Sequence, residues 1–298
     1  MLVDGRALLH DAYRRGYAVG SFNVSSLEGA RAAIAAAEAE RSPVMVQVWA
    51  GLFALGRLEM EAIAAGIRAL ARHAPVPVCL HLDHGEDVEL VMAACDAGFT
   101  SVMIDASRFP WDQNVAMTQA VVAKAHAMGI SVEAELGRIG GEEAGSHEDS
   151  GVAGGGTDSA GDEADGLTDP QEAAAFVRAT GCDSLAVAVG TRHGAYRSAP
   201  QLALDRLAAI NAVAGVPLVL HGGSYTPDDQ VVAAIARGVA KVNVATELND
   251  AWIDAVLARA AQGPRPRFAD ELTDPGWQAV TERIRAKMRL FGSSGKAG

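Results

Sequence analysis

Eight short apolar runs alternate with alanine-rich segments of helical period along most of the chain, and this rhythm constrains the fold more than any other feature. The runs are AVGSFNV (18–24), PVMVQVW (43–49), PVCLHLD (77–83), FTSVMID (99–105), ISVEAEL (130–136), SLAVAVG (184–190), PLVLH (217–221) and AKVNVAT (240–246). Between them lie helix candidates such as LEGARAAIAAAEAER, EDVELVMAACDAG and NVAMTQAVVAKAHAMG. Strand-then-helix repetition predicts parallel strands joined by right-handed crossovers. Eight such strands predict closure into a (β/α)8 TIM barrel. A doubly wound open sheet is the competing architecture, but no GxGxxG follows the first strand to support it. Two helix starts are well marked. Asp169-Pro170-Gln171-Glu172 reads as N-cap, proline at the first helical position and capping-box glutamate, and Thr226-Pro227-Asp228-Asp229 follows the same logic.

Such barrels typically take about 250 residues, so 298 residues suit one domain spanning 1–298 with additions. A formal net charge of −12 argues against non-specific binding to nucleic acid or an anionic membrane. No stretch approaches the apolar length that spans a bilayer. Cys79, Cys95 and Cys182 lie far apart and form no CxxC pair, which predicts buried, reduced thiols in a cytoplasmic protein. One segment breaks the rhythm. From Gly140 to Gly166 the chain is rich in Gly, Ser, Asp and Glu, and no Lys or Arg occurs between Arg138 and Arg178. Such a composition cannot bury enough apolar surface to hold one packed form. A long flexible loop is therefore expected over 141–166, either a solvated insertion or a mobile lid at the barrel mouth.

The chemistry-bearing residues fall at strand ends: His81 to Gly85, Met103 to Asp105, Glu133 to Gly137, Gly190 to Gly194, His221 to Ser224, and Asn243 to Thr246. In a barrel these ends converge on one mouth. Zn²⁺ prefers neutral imidazoles, and a catalytic site uses three protein ligands with one position open. His84, His193 and His221 can supply those ligands from three strand ends. Each alone is equally readable as a packed or surface residue, and the residues by themselves leave both readings open. His81, inside the third run, reads as a packed barrel residue. His10, His73, His126 and His147 carry no role.

The stretches SFNVSSLEGARAAIAAAEAERSPVMVQ, HLDHGEDVELVMAACDAGFTSVMID, NVAMTQAVVAKAHAMGISVEAELGRIGGEE, LTDPQEAAAFV, DSLAVAVGTRHGAY, LVLHGGS and KVNVATEL carry a resemblance. Through them the chain resembles the class II fructose-bisphosphate and tagatose-bisphosphate aldolase family, from near Ala7 to the LFGSSGKA tail. The resemblance implies a zinc-dependent lyase of carbohydrate metabolism, as in glycolysis. It implies cleavage of a phosphorylated ketose to dihydroxyacetone phosphate and an aldehyde through a metal-stabilised enediolate. His84, His193 and His221 look like the zinc ligands, and Asp83 like the general acid/base at the C4 oxygen. Asp105 and Glu135 match acidic positions of an additional or alternative metal site, for a second divalent or a monovalent cation. Glu143, in GGEE, matches a loop glutamate implicated in proton transfer at the donor carbon. Gly194, Gly222, Gly223, Ser224, Asn243, Val244, Ala245 and Thr246 match the dihydroxyacetone phosphate cradle, and Asn23 a substrate-facing asparagine. The family also implies a homo-oligomer, a dimer or tetramer.

The residue types suit these roles. Breaking a C3–C4 bond leaves negative charge that a cation stabilises. Lys241 is the one strand-end lysine that a Schiff-base chemistry would have to use, and its family position is non-catalytic. Backbone N–H groups in HGGS and NVAT can bind phosphate as a nest. Two departures from the pattern touch the substrate: Tyr225 follows HGGS where a glycine is usual, and Trp49 stands where a small residue is usual. Tyr225 must either turn its ring away or take part of the donor pocket, and both changes together are expected to reshape it. The alternatives are an aldolase of the same mechanism with another donor or acceptor, a non-catalytic barrel subunit, and a barrel zinc hydrolase, which NVAT fits poorly.

Overall fold

The structure, a computed structural model, describes residues 1–137, 139–141, 166–194 and 200–298. The expected loop at 141–166 and Glu143 lie almost wholly outside these residues. The chain opens with α1 (Gly5–Arg15), β1 (Val19–Asn23), α2 (Leu27–Glu40), β2 (Val44–Trp49), α3 (Gly51–Ala54) and α4 (Met60–His73). It continues through β3 (Val78–Gly85), α5 (Val88–Ala97), β4 (Ser101–Ile104), α6 (Trp111–Ala127), β5 (Ser131–Leu136) and β6 (Gly140–Gly141). Then come α7 (Pro170–Thr180), β7 (Ser184–Val187), β8 (Arg192–His193), α8 (Leu204–Ala214), β9 (Leu218–Leu220) and α9 (Asp228–Ile235). β10 (Val239–Val244), α10 (Thr246–Ala261) and α11 (Ala269–Leu290) end it.

Eight of these strands close into a parallel barrel in the order β1-β10-β9-β7-β5-β4-β3-β2, as the alternation of runs predicted. The helices start where short polar side chains cap them: Ser26 Oγ accepts from Gly29 N at 3.1 Å, and Asp87 Oδ1 from Leu90 N at 2.9 Å. Asp169 caps α7 with Pro170 at its start, as expected. The second expected cap differs by one residue. Pro227 holds the cap position of α9 without a side-chain bond, and Thr226 Oγ1 instead donates to Gly222 O at 2.9 Å. Thr226 thus ties the helix start back to the barrel mouth.

Period-two alternation sorts the strand residues. Outward-facing Val44, Val46, Val48, Leu80, Leu82, Val132, Ala134, Val242 and Val244 join the main core under the helices. Inward residues lie in layers. At the bottom, Val19, Met45, Cys79 and Ala240 pack with Leu8, Leu9 and Ala12 of α1, which stoppers the barrel. Above them sits a polar layer, fully or almost fully buried: Ser21, Gln47, His81, Glu133 and Lys241. The three cysteines are buried and unpaired, and burial pushes the thiols of Cys79 and Cys182 up to about 12. Among the described residues, no helix is long and apolar enough to cross a membrane.

Candidate active site

Alternation along β3 would point Asp83 and His84 to opposite faces. Both line one cavity at the C-terminal mouth. The pairing of β3 with β4 slips between Leu82 and Gly85, and His84 takes a left-handed backbone with φ +48°. Such a backbone costs a non-glycine residue of order 1–3 kcal/mol and is retained only where surroundings enforce it. Gly85 permits the kink, because a Cβ there would lie 2.8 Å from the Met103 carbonyl oxygen.

His84, His193 and His221 converge. Their ring centroids are 4.8 Å (84–193), 4.5 Å (84–221) and 5.7 Å (193–221) apart. One ligand atom from each lies within 4.8 Å of the others. His221 Nδ1 is 2.8 Å from His84 Nε2. The far nitrogen of each ring meets a carboxylate: His84 Nδ1 is 3.0 Å from Asp105 Oδ2, and His221 Nε2 is 2.8 Å from Glu133 Oε1. Ionised carboxylates only accept, so each far nitrogen donates its hydrogen and the near nitrogens face each other with lone pairs. That arrangement suits a cation shared between them. Burial, reinforced by His84, pushes the His193 imidazole down to about 3. Burial, then His84 and Lys241, holds His221 well below its ordinary value. Neutral imidazole is the ligating form, which His193 and His221 favour, and the convergence of the three rings fits a divalent metal with a position left open.

A second group, His84, Asp105 and Glu135, also has ligand atoms within 4.8 Å of one another. Asp105 is pinned by Ser107, whose N and Oγ donate to Oδ1 at 3.1 and 2.7 Å. Burial pushes the Asp105 carboxyl up, but the bond and charge of His84, with Ser107, outweigh it and hold the group well below the usual range.

Asp83 is fixed by amides from three strands. Asn23 Nδ2 and Gln47 Nε2 donate to Oδ2 at 2.9 and 3.1 Å, and Asn243 Nδ2 donates to Oδ1 at 3.1 Å. Asp83 Oδ1 lies 4.0 Å from His84 Nε2, beside the imidazoles rather than among them. Asn243 Oδ1 is buried and has no hydrogen-bond partner among the described residues, which leaves an acceptor for a bound hydroxyl.

Asn23, Gly194, Gly222, Ser224, Ala245, Thr246 and Trp49 complete the cavity wall. Gly222 has φ +64° and a Cβ would lie 2.3 Å from Arg192 O, so no other residue fits there. Gly223 and Val244 do not line the cavity: the Val244 side chain packs in the outer core. Two amides expected in the phosphate nest are already engaged. Gly223 N donates to Asn243 O at 3.0 Å, and Ala245 N donates to Ser224 Oγ at 3.1 Å. Glu247 N meets the same oxygen at 3.4 Å, so the Ser224 hydroxyl occupies the N-terminus of α10.

Tyr225 turns its ring away, against the expectation that it reshapes the pocket. It is 44% exposed, with φ +59°. Its N donates to Glu247 Oε1 at 2.6 Å, and its hydroxyl donates to Asp250. Trp49 does reach the cavity, packed so closely over Gly51 that a Cβ there would lie 2.3 Å from the indole. The small sheet of β6 and β8 was not foreseen; it pairs Gly141 with His193, so the stretch leading to Glu143 starts beside the imidazoles. Gln47, Glu133 and Lys241 were also missed as site residues, although their inward strand positions were legible.

Known proteins resemble this chain along nearly its whole length. Residues 3–296 match the family described as fructose-bisphosphate aldolase class-II. The chain is 43% identical over 298 residues to a fructose-bisphosphate aldolase of Geobacillus stearothermophilus, covering 99% of each. It is 39% identical over 319 residues to one of Giardia intestinalis, covering 98% of this chain and 94% of that one. The crystal structure of the YdjI aldolase from Escherichia coli K12 superposes with a TM-score of 0.85 at 37% identity, with both chains fully covered. The chain therefore belongs to the class II fructose-bisphosphate aldolases, a family of metal-dependent carbon–carbon lyases.

Proposed function

We propose that this chain reversibly cleaves a phosphorylated ketose, fructose 1,6-bisphosphate or its tagatose epimer, to dihydroxyacetone phosphate and an aldehyde, with Zn²⁺ as its metal. The observation that carries this reading is the cluster of three imidazoles beside the amide-held Asp83. His84, His193 and His221 would hold the ion, and Asp105 and Glu133 would orient two of them. The group of His84, Asp105 and Glu135 would offer a second cation position. When bound, the metal supplies Lewis-acid stabilisation of the negative charge that builds on the donor oxygens.

Asp83 accepts the proton of the C4 hydroxyl as the C3–C4 bond breaks, and returns it in the aldol direction. Its three amide donors hold the carboxylate oxygens in place beside the imidazoles. Glu143 is proposed to deliver the proton that C3 requires. Asn23, Asn243, Gly194, Gly222, Ser224, Ala245 and Thr246, which line the cavity, would bind the donor half, with Gly223 and Val244 behind them. Lys241 is wholly buried and points at Glu133, not into the cavity, which supports metal chemistry over a Schiff base. Residues 1–298 act here as one domain, and a homo-oligomer stays part of the proposal on family grounds.

The test is aldol cleavage of both bisphosphates, with metal content measured on the same sample. Full activity after exhaustive chelation sinks the metal assignment. A zinc-loaded protein that cleaves neither sugar sinks the substrate, and Trp49 in the cavity then favours another acceptor.

A further inference from the structure

The middle layer of a barrel interior is ordinarily filled by branched apolar side chains. Here it holds a buried cation and anion. Lys241 Nζ lies 2.7 Å from Glu133 Oε2 and 3.2 Å from His81 Nε2, and His81 Nδ1 lies 2.8 Å from Ser101 Oγ. Lys241, His81 and Glu133 are at most 1% exposed. The other oxygen of Glu133 reaches His221 Nε2 at 2.8 Å. Removing two charges from water costs so much that a buried ion pair is weak support for stability, and packed apolar residues often serve as well. The pair stands directly beneath one imidazole of the proposed metal cluster.

We propose that Lys241 is a positioning residue for the metal centre: its ammonium group holds Glu133, which in turn fixes the tautomer and ring orientation of His221. A carboxylate accepting the Nε2 hydrogen leaves the Nδ1 lone pair directed at the cluster and raises its basicity. Without a counter-charge, that carboxylate would be buried alone and would leave its place. His81, tied between Ser101 and Lys241, fixes the far side of the ammonium. The inference rests on His221 being a ligand, and the test separates the two claims.

Affinity for Zn²⁺ is measured by competition with a chromophoric chelator, and Co²⁺ spectra report the ligand geometry. The wild type is compared with His221→Ala, Lys241→Met, Glu133→Gln and the double variant Lys241→Met/Glu133→Gln. Lys241→Met is expected to weaken binding about 10- to 100-fold, as loss of an outer orienting partner does. Glu133→Gln also weakens it, since one face of the amide then presents N–H to an ammonium. The double variant restores affinity to within about threefold, because a neutral amide needs no counter-charge and its oxygen still accepts from His221. A merely packing role for Lys241 predicts a double variant no tighter than Lys241→Met, and that result overturns the proposal. So does wild-type affinity in folded Lys241→Met. Should Lys241→Met fail to fold, the double variant decides: folding with near wild-type affinity supports the proposal, and failure of either overturns it. Unchanged affinity in His221→Ala instead sinks the ligand assignment.

Discussion

Asp83 and His84 are neighbours on one strand, yet both face the same cavity. The left-handed backbone at His84 and the slipped pairing of β3 with β4 make this possible. A proton-handling carboxylate is thereby set 4.0 Å from a candidate ligand nitrogen, without becoming a ligand itself.

Removing any one of His84, His193 or His221 by substitution with alanine leaves two imidazoles, too few to retain an ion in this geometry. Metal content of the purified variants should fall to a small fraction of wild type, and cleavage with it. A variant that keeps both stoichiometric metal and full turnover would remove that residue from the ligand set.

Asp83→Ala should keep its metal and lose turnover by about 10²-fold or more, the usual cost of losing a general acid/base. Paired metal analysis and steady-state kinetics check this. A collapse of metal occupancy would show that Asp83 orients His84 instead.

Trp49→Ser should change kcat/KM for fructose 1,6-bisphosphate by roughly tenfold, equivalent to about 1.4 kcal/mol. Tyr225→Gly should leave it within about twofold, because the ring lies outside the cavity and is tied to Asp250. Equal effects from the two variants would contradict the placement of these side chains.

Glu40 at the end of α2 clasps the C-terminal region, accepting from Arg285, Arg289 and Ser294. The bond from Arg289 outweighs burial and, with Arg285 and Ser294, brings its carboxyl from 4.5 down to about 2. A group depressed on folding stabilises above its unfolded value, so this contribution is whole above about pH 4.5 and is lost as pH falls towards about 2. Glu40→Gln should lower stability at neutral pH by about 1–3 kcal/mol. Thermal melts across that window should show the gap between variant and wild type closing as pH falls. A constant gap would mean that the clasp does not depend on charge.

Strand order, barrel closure and the inward positions of Gln47, Asp83, Glu133, Glu135, Lys241 and Asn243 were legible in the sequence, because apolar runs and period-two alternation are local properties of the chain. The three imidazoles at strand ends were legible for the same reason. Three matters were decided only by the tertiary structure. Alternation points His84 away from Asp83, and a backbone kink enforced by packing around Gly85 turns it inward. Glu133 and Glu135 look equivalent two residues apart, but Lys241, 108 positions along, meets only the first, because barrel curvature brings inward residues of non-adjacent strands together. Tyr225 swings outward because Glu247 and Asp250 of α10 hold its amide and hydroxyl. No local pattern carries a distance across a closed barrel, so the partners of each buried polar group emerge only when the barrel closes.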